Sequence, residues 1–419
     1  MSWRKENRAG FEFRHPASPT ASKLRRVNPP DGRRASGGQV RLADLGGVFM
    51  SISESLGNGD GTPRRRRQRY SGTHPKNFQQ KYKEHAIDAH PELLSHLRAK
   101  GKTPAGTHVP VLTAEVMAAL APGPGDVVAD CTIGYGGHAT EFLRRIGPTG
   151  KLVGLDIDGA ELERTRQRLS ALNVPIRLYR SNFAGIANVM HKEGLEGFDI
   201  IFADLGVSSM QIDNPDRGMS YKHDGPLDMR MDDRRKRTAA DMLNTLSEQQ
   251  LSETLWELAD EPDHEVIARQ IVAQRSVESF TTIAQLVEII FTVKGLTIKD
   301  WKRQNRLKPG LLHPAARTFQ AMRILVNDEL GSLKELLRVA PFCLRPGGRI
   351  GIISFHSGED RLVKKAFASG LRDGLFQSAA TEVIVPDRSE IASNPRSSSA
   401  KFRWACLKGT SMPRVSTGE

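Results

Sequence analysis

The chain has 419 residues, 61 Lys and Arg against 48 Asp and Glu, and a formal net charge of +13. No apolar run approaches the roughly 18 residues a membrane helix needs, and the charged start Met1-Ser-Trp-Arg-Lys-Glu-Asn-Arg8 lacks the apolar core of a signal peptide. Three singly scattered cysteines, Cys131, Cys343 and Cys406, exclude a disulfide framework and a cysteine-rich metal site, so a cytoplasmic, reducing setting is expected.

The charge is unevenly placed. Residues 1–104 hold 21 basic and 9 acidic residues, a net of +12, which leaves 40 basic and 39 acidic residues for 105–419, a net of +1. A basic arm on a neutral body fits attraction to a polyanion, and a solvated tail without a partner fits the composition equally well. Residues 1–75 read as disordered, rich in Pro, Gly, Ser and Arg, with Arg64-Arg-Arg-Arg-Gln-Arg69 as the densest charge cluster. Met50 is an alternative start. Residues 76–100 carry a modest helical pattern, Phe78, Tyr82, Ile87, Leu93, Leu94 and Leu97, and read as a short helical arm.

The folded body is expected from His108-Val-Pro-Val-Leu112 onwards, with a helix at 113–120. Val127 to Ala129 reads as a buried parallel strand. It runs into a loop bearing Gly134, Gly136 and Gly137, and then a helix with Ala139, Phe142, Leu143 and Ile146 on one face. Strand, glycine turn and helix make the first half of a nucleotide-binding βαβ unit. Leu152-Val-Gly-Leu-Asp156 is a second strand. Its terminal carboxylate suits a ribose diol, or else caps the helix expected at 159–170. Ile176–Tyr179 is a third strand, followed by Phe183, which either stacks on an adenine or belongs to the core. Phe198–Gly206 is a fourth, with Asp204 at its tip beside the first strand's loop if the order is 3-2-1-4-5.

Alternation then stops. Residues 213–312 offer no convincing strand; helical patterns fall at 238–246, 247–259, 263–275 and 282–292, and 294–308 reads as a basic loop. The acids Asp224, Asp228, Asp232 and Asp233 match no ion-loop spacing, which favours a polar loop with internal Arg pairing over a metal site. A long helix is expected from His313 to about Val339. A tight turn at 344–349 and a strand at 350–355 follow, ending at His356, which is either a base, a substrate contact or structural. Thr381–Val385 and Phe402–Leu407 are expected as two further strands, joined by the polar loop Asn394–Ser399.

Two ligands fit the glycine loop. Gly134-x-Gly136-x-x-Ala139 meets the relaxed dinucleotide fingerprint, but no second set of acid/base groups accompanies it. A methyltransferase using S-adenosylmethionine accounts for more: an acid after the second strand, an acid at the fourth strand's tip, and a terminal hairpin. At this point the sequence closely resembles the RsmH (MraW) ribosomal RNA cytosine-N4 methyltransferases. The segments are His108–Leu112, Asp130-Cys-Thr-Ile-Gly-Tyr-Gly-Gly-His138, Asp204-Leu-Gly-Val-Ser-Ser-Met-Gln211, Asp216-Arg-Gly-Met-Ser220, Asp224–Asp232, His313-Pro-Ala-Ala-Arg-Thr-Phe-Gln320 and Ile353-Ser-Phe-His-Ser-Gly-Glu-Asp-Arg361. Met210 and Gly358 depart from the family's usual proline and leucine.

The resemblance implies an α/β, class I methyltransferase core with a seven-stranded sheet (105–212 and 313–410), an inserted helical substrate-recognition domain (213–312), and a flexible tail (411–419). It implies methylation of N4 of a cytidine in the decoding centre of small-subunit rRNA, with S-adenosylmethionine as cofactor and no metal. Cofactor contacts carried over by position are Gly136, Gly137, His138, Asp156, Phe183, Asp204 and Gln211. From the chemistry of the amine, Asp204 and the following backbone or Ser208 are the candidates for orienting it; the alternative is that Asp204 serves only the cofactor. The partner is rRNA, within a ribosomal subunit or its precursor; no membrane is implied, and a homodimer stays open. The alternative is a non-catalytic RNA-binding or assembly protein on the same fold.

Overall fold

The computed structural model describes residues 110–308 and 310–409, apart from the side chains of Ser209 and Met210. The basic arm, the helix expected at 76–100, the alternative start and the C-terminal tail lie outside the described residues.

Seven strands form one sheet in the order β3-β2-β1-β4-β5-β7-β6. They are β1 (Val127–Asp130), β2 (Lys151–Asp156), β3 (Ile176–Arg180), β4 (Phe198–Asp204), β5 (Leu344–Ser354), β6 (Phe376–Ala379) and β7 (Lys401–Leu407). The first five run parallel, and β7 pairs antiparallel with both β5 and β6. The expected order 3-2-1-4-5 and the terminal antiparallel pair are both present. The chain reverses direction of travel across the sheet between β1 and β4, so the C-terminal ends of β1, β2 and β4 open onto one crevice.

Helices cover both faces: α1 (Thr113–Leu120), α2 (Gly137–Ile146) and α3 (Gly159–Leu169) before β3, and α4 (Ile186–Lys192) before β4. Parallel strands covered on both sides read as unbroken apolar runs, and all four residues of β1 are buried. On α2 the spacing of Ala139, Phe142, Leu143 and Ile146 puts all four in the core. Truncating a fully buried aromatic such as Phe142 to alanine costs about 3–5 kcal/mol in comparable cores.

After β4 come α5 (Ser209–Asp213), α6 (Ala239–Thr245), α7 (Glu248–Ala259), α8 (His264–Arg275), α9 (Ile283–Val293) and α10 (Ile298–Leu307), then α11 (Ala316–Asn327) and α12 (Glu329–Cys343). The helices from α6 to α9 share their own apolar core, built on Leu243, Leu255, Ile267, Ile271, Leu286 and Ile290. That core reaches into α11 through Phe319, Met322 and Val326. Between β5 and β6 lies α13 (Ser357–Arg372), and α14 (Arg388–Ser393) precedes β7.

Five local expectations differ from the structure. The tight turn expected at 344–349 is the first part of β5, which pairs with β4 from Leu344 across a register shift. The basic stretch 294–308 is largely helix, because Thr297 and Asp300 form a reciprocal capping box at its start. The helix expected from 313 to 339 is two helices, broken at Asp328, whose φ of 51° is left-handed. The stretch at 381–385 contributes only a single bridge, Ile384 to Phe402, and the edge strand is Phe376–Ala379 instead. The loop 394–399 contains a short 3-10 turn, Pro395–Ser399.

Asp224 accepts main-chain N–H groups of Gly225 and Ala284. Asp228 and Asp232 are paired with Arg230 and Arg234, each at 2.7–2.8 Å. Asp233 is paired with Arg180. Internal arginine pairing therefore accounts for Asp228 and Asp232, while Asp224 and Asp233 bond to main chain and to Arg180 on β3.

Candidate active site at the strand tips

A cavity opens at the C-terminal ends of β1, β2 and β4. Its lining includes Gly134, Gly137, His138, Asp156, Phe183, Asp204, Ser208, Gln211 and Phe355. Six of the seven residues expected to touch the cofactor are thereby brought together. Gly136 is not among the lining residues. A Cβ there would meet Thr165 Cγ2 at 3.1 Å and Leu169 at 3.4 Å, and its φ is +84°. Glycine at 136 thus answers to backbone conformation and to packing on α3.

Asp156 ends β2 and holds its neighbours by both oxygens. Gly134 N–H donates to Oδ2 at 2.8 Å, and Asp158 N–H donates to Oδ1 at 2.8 Å. It does not cap the following helix. Asp158 does, accepting N–H bonds from Ala160 and Glu161. Burial lifts the Asp156 pKa to about 6, opposed by the two N–H bonds and helped by the charges of Asp158 and Glu161. One strand over, Asp130 is 1% exposed, and burial lifts its pKa to about 7.

Asp204 ends β4. Its own N–H donates to Thr132 Oγ1 at 2.6 Å, which locks the tips of β1 and β4 together. Burial, then the charges of Asp130 and Glu359, raise its pKa well above the ordinary carboxylate range. Oδ2 lies 3.7 Å from His138 Nδ1, while Oδ1 is buried with no hydrogen-bond partner among the described residues. His138 is anchored by its other nitrogen, Nε2, 2.9 Å from the Val111 carbonyl, and its ring leans on Phe202. Because a carbonyl only accepts, Nε2 carries the proton in that contact.

Gln211 is used partly by its own loop. Ser208 N–H donates to Gln211 Oε1 at 3.0 Å, and Gln211 N–H donates back to Ser208 Oγ at 3.2 Å. Phe183 lines the cavity and packs against the core beneath it. Thr132 and Met231 are lining residues that spacing does not single out. Thr132 sits inside the glycine-loop motif and was visible as part of it. Met231 arrives from the segment after β4, and no periodicity ties it to the sheet. That segment is fastened to the strand tips by Arg217, which donates to Asp158 Oδ2 at 2.6 Å.

Three carboxylates at adjoining strand tips, Asp130 buried and Asp156 and Asp204 partly buried and lining one cavity, form a site that favours a cationic ligand carrying hydroxyl groups. A cofactor with a sulfonium, an ammonium and a ribose diol meets that description. The orphaned Asp204 Oδ1 and the acid at the tip of β2 fit it. The sheet order with an antiparallel β7 between β5 and β6, together with this site, defines a class I S-adenosylmethionine-dependent methyltransferase. The chain belongs to the MraW methylase family, whose model matches residues 105–408.

Close relatives agree. The chain is 42% identical over 349 residues to ribosomal RNA small subunit methyltransferase H 2 of Alkaliphilus metalliredigens, covering 82% of this chain and 97% of that protein. It is 41% identical over 345 residues to ribosomal RNA small subunit methyltransferase H 1 of Lachnoclostridium phytofermentans, covering 81% and 92%. The methyltransferase H of Symbiobacterium thermophilum is 42% identical over 311 residues, covering 71% and 95%.

Proposed function

We propose that the protein methylates N4 of a cytidine in the decoding centre of small-subunit rRNA. The observation that carries this reading is the buried, unpartnered Asp204 Oδ1 in a family-matched cavity. S-adenosylmethionine, when bound, supplies an electrophilic methyl group on sulfur.

The remaining work belongs to the chain. Asp156 holds the ribose diol, and Phe183 offers an aromatic face to the adenine. Gly137 and His138 wall the glycine loop, and Gln211 turns its amide towards the same cavity. An exocyclic cytosine amine is a weak nucleophile because its lone pair is delocalised into the ring. Asp204 Oδ1 accepts a hydrogen bond from that amine and so turns the lone pair towards the methyl carbon. The ionised Asp204 carboxylate also serves as the acceptor for the proton that the amine gives up. Ser208, on the loop after β4, is the second candidate for holding the amine.

The base must leave its stack to reach the cavity. The helix α10 supports a role in holding the flanking RNA: none of its residues is buried, and 294–308 contain six Lys and Arg against one Asp. The substrate in the cell is the rRNA within a ribosomal subunit or its precursor. Mass spectrometry of small-subunit rRNA from a deletion strain tests the proposal. A decoding-centre cytidine should lose one methyl group, and the wild-type gene, but not one encoding Asp204→Asn, should restore it. An unchanged methylation pattern in the deletion strain would overturn the reading.

A further inference from the structure

A second cleft lies beside the first. Its walls come from the C-terminal end of α7 (Glu257 to Asp260), from α11 (Arg317, Gln320) and from the first turn of α13 (Ser357, Gly358, Arg361), with His356 between. The two cavities meet across one peptide bond, since Phe355 lines the first and His356 the second. Two of the sequence segments that carry the family resemblance, 313–320 and 353–361, face each other here. The cofactor cavity uses Phe355 from the second and none of the first.

The polar groups of this cleft are underused. Among the described residues the Arg361 guanidinium makes no ion pair or hydrogen bond, and neither does the Gln320 side-chain amide. Arg317 gives one N–H to the Asp260 carbonyl. His356 is 10% exposed, with Nε2 3.2 Å from Glu359 Oε1. Its Nδ1 is buried without a hydrogen-bond partner among the described residues. It lies against Gly358, where a Cβ would come within 3.1 Å of that nitrogen. The 16-residue helix α13 begins at this point, and His356 gives it no side-chain cap. The first turn carries Glu359 and Asp360, which already complement the helix dipole, while the N–H groups of Ser357 and Gly358 have no acceptor among the described residues.

Glu329, His356 and Glu359 come close enough to suggest a cation site. Arg323 already neutralises Glu329 through two bonds of 2.8 and 2.9 Å, so the group reads as an ion network that fixes the ring of His356. The opposite wall carries the acceptors Glu257 and Asp260. Donors on one wall and acceptors on the other match a nucleotide, whose phosphate accepts and whose ribose hydroxyl donates. A bare phosphate ion has no sugar hydroxyls to donate to the acids, and so would leave that wall unused.

We infer that this cleft binds a phosphodiester and ribose of the RNA strand next to the target nucleotide, held by Arg361, Gln320, His356 Nδ1 and the first turn of α13. The assignment rests on the rRNA reading above and adds the place where the strand is gripped. Arg361 neutralises the phosphate, and Gln320 donates to a second oxygen. His356 Nδ1 supplies a donor or an acceptor according to the tautomer of the ring.

The test uses the full-length chain and small-subunit rRNA, with Arg361→Gln, Gln320→Ala and Gly358→Ala. Arg361 is exposed, so its replacement leaves the fold intact, which an unchanged thermal midpoint verifies. Arg361→Gln should raise KM for RNA about tenfold. It should also reduce the slope of log affinity against log salt by roughly 0.7–0.9, the value of one phosphate contact. Both kcat and cofactor affinity should stay at the wild-type level. Gly358→Ala should raise KM by blocking Nδ1 while leaving the salt slope unchanged, an effect that lost charge does not produce. Wild-type KM and salt slope in Arg361→Gln and Gln320→Ala, with the wild-type chain binding rRNA normally, overturn the cleft assignment alone. Absence of saturable rRNA binding by the wild-type chain overturns the rRNA reading and this assignment with it.

Discussion

Asp204 and His138 stand 3.7 Å apart at the tips of neighbouring elements, with His138 Nε2 tied to the Val111 carbonyl and Asp204 Oδ1 tied to nothing. One carboxylate oxygen thus faces a fixed ring, and the other is available for a substrate amine. Asp204→Asn keeps the shape but weakens acceptance. It should lower kcat by about 10–100-fold, the worth of one charge-assisted hydrogen bond. Single-turnover methyl transfer and cofactor calorimetry together check this. A loss confined to cofactor affinity would reassign Asp204 to the cofactor.

Asp156→Ala should weaken cofactor binding by about tenfold or more, since a carboxylate accepting hydroxyl protons is removed. The wild-type interaction should also depend on pH. Asp156 titrates at about 6, and only its ionised form accepts two hydroxyl bonds. Affinity should therefore fall as pH drops below about 6 and level off above it, with proton release on binding near that pH. Calorimetry in buffers of different ionisation enthalpy reads the released protons; a flat profile in the wild type argues against the assignment.

Asp130 makes a stability prediction. Its folded pKa of about 7 lies above the ordinary value of 3.8, so the folded state holds the proton more tightly than the unfolded chain does. The stability that this group contributes is full below about pH 4 and is lost as pH rises through about 7. Asp130→Asn, which cannot ionise, should flatten that part of the profile. Urea midpoints of the cofactor-free protein at pH 5 and pH 7.5 should converge in the variant relative to the wild type.

If the basic arm and α10 contact RNA, their charge should act through salt. Deleting residues 1–104 removes a net charge of +12 and should weaken rRNA binding and flatten its salt dependence. Reversing Lys302, Arg303 and Arg306 on α10 to Glu should do the same without altering cofactor binding. Filter binding across a salt series separates the two; an unaltered slope after the deletion means the arm does not touch RNA.

Much of the parallel half of the sheet was legible because both-face burial writes continuous apolar runs, as in β1 and β4, and because acids mark the strand tips. The antiparallel edge was harder. β6 has four residues and an irregular register against β7, so its alternation is too short to read, while the more apolar Thr381–Val385 attracted the assignment. The break at Asp328 was hidden because Leu333 and Leu336 continue the apolar pattern of α11 past a residue that only the backbone shows to be left-handed. At the site, residues within the glycine-loop and Asp204 segments could be named in advance. Met231 could not, because its place depends on how Arg217 and Asn327 fold the intervening chain back onto the sheet.

The two main-chain bonds of Asp156 also have a kinetic meaning. The same carboxylate that would receive the ribose already fastens the glycine loop through Gly134 and the start of α3 through Asp158. The loop is thus clasped in its receptive form before anything arrives, with no ordering step to wait for. Cofactor association should proceed as a single encounter, its observed rate rising in a straight line with concentration and without the plateau that a slow rearrangement imposes.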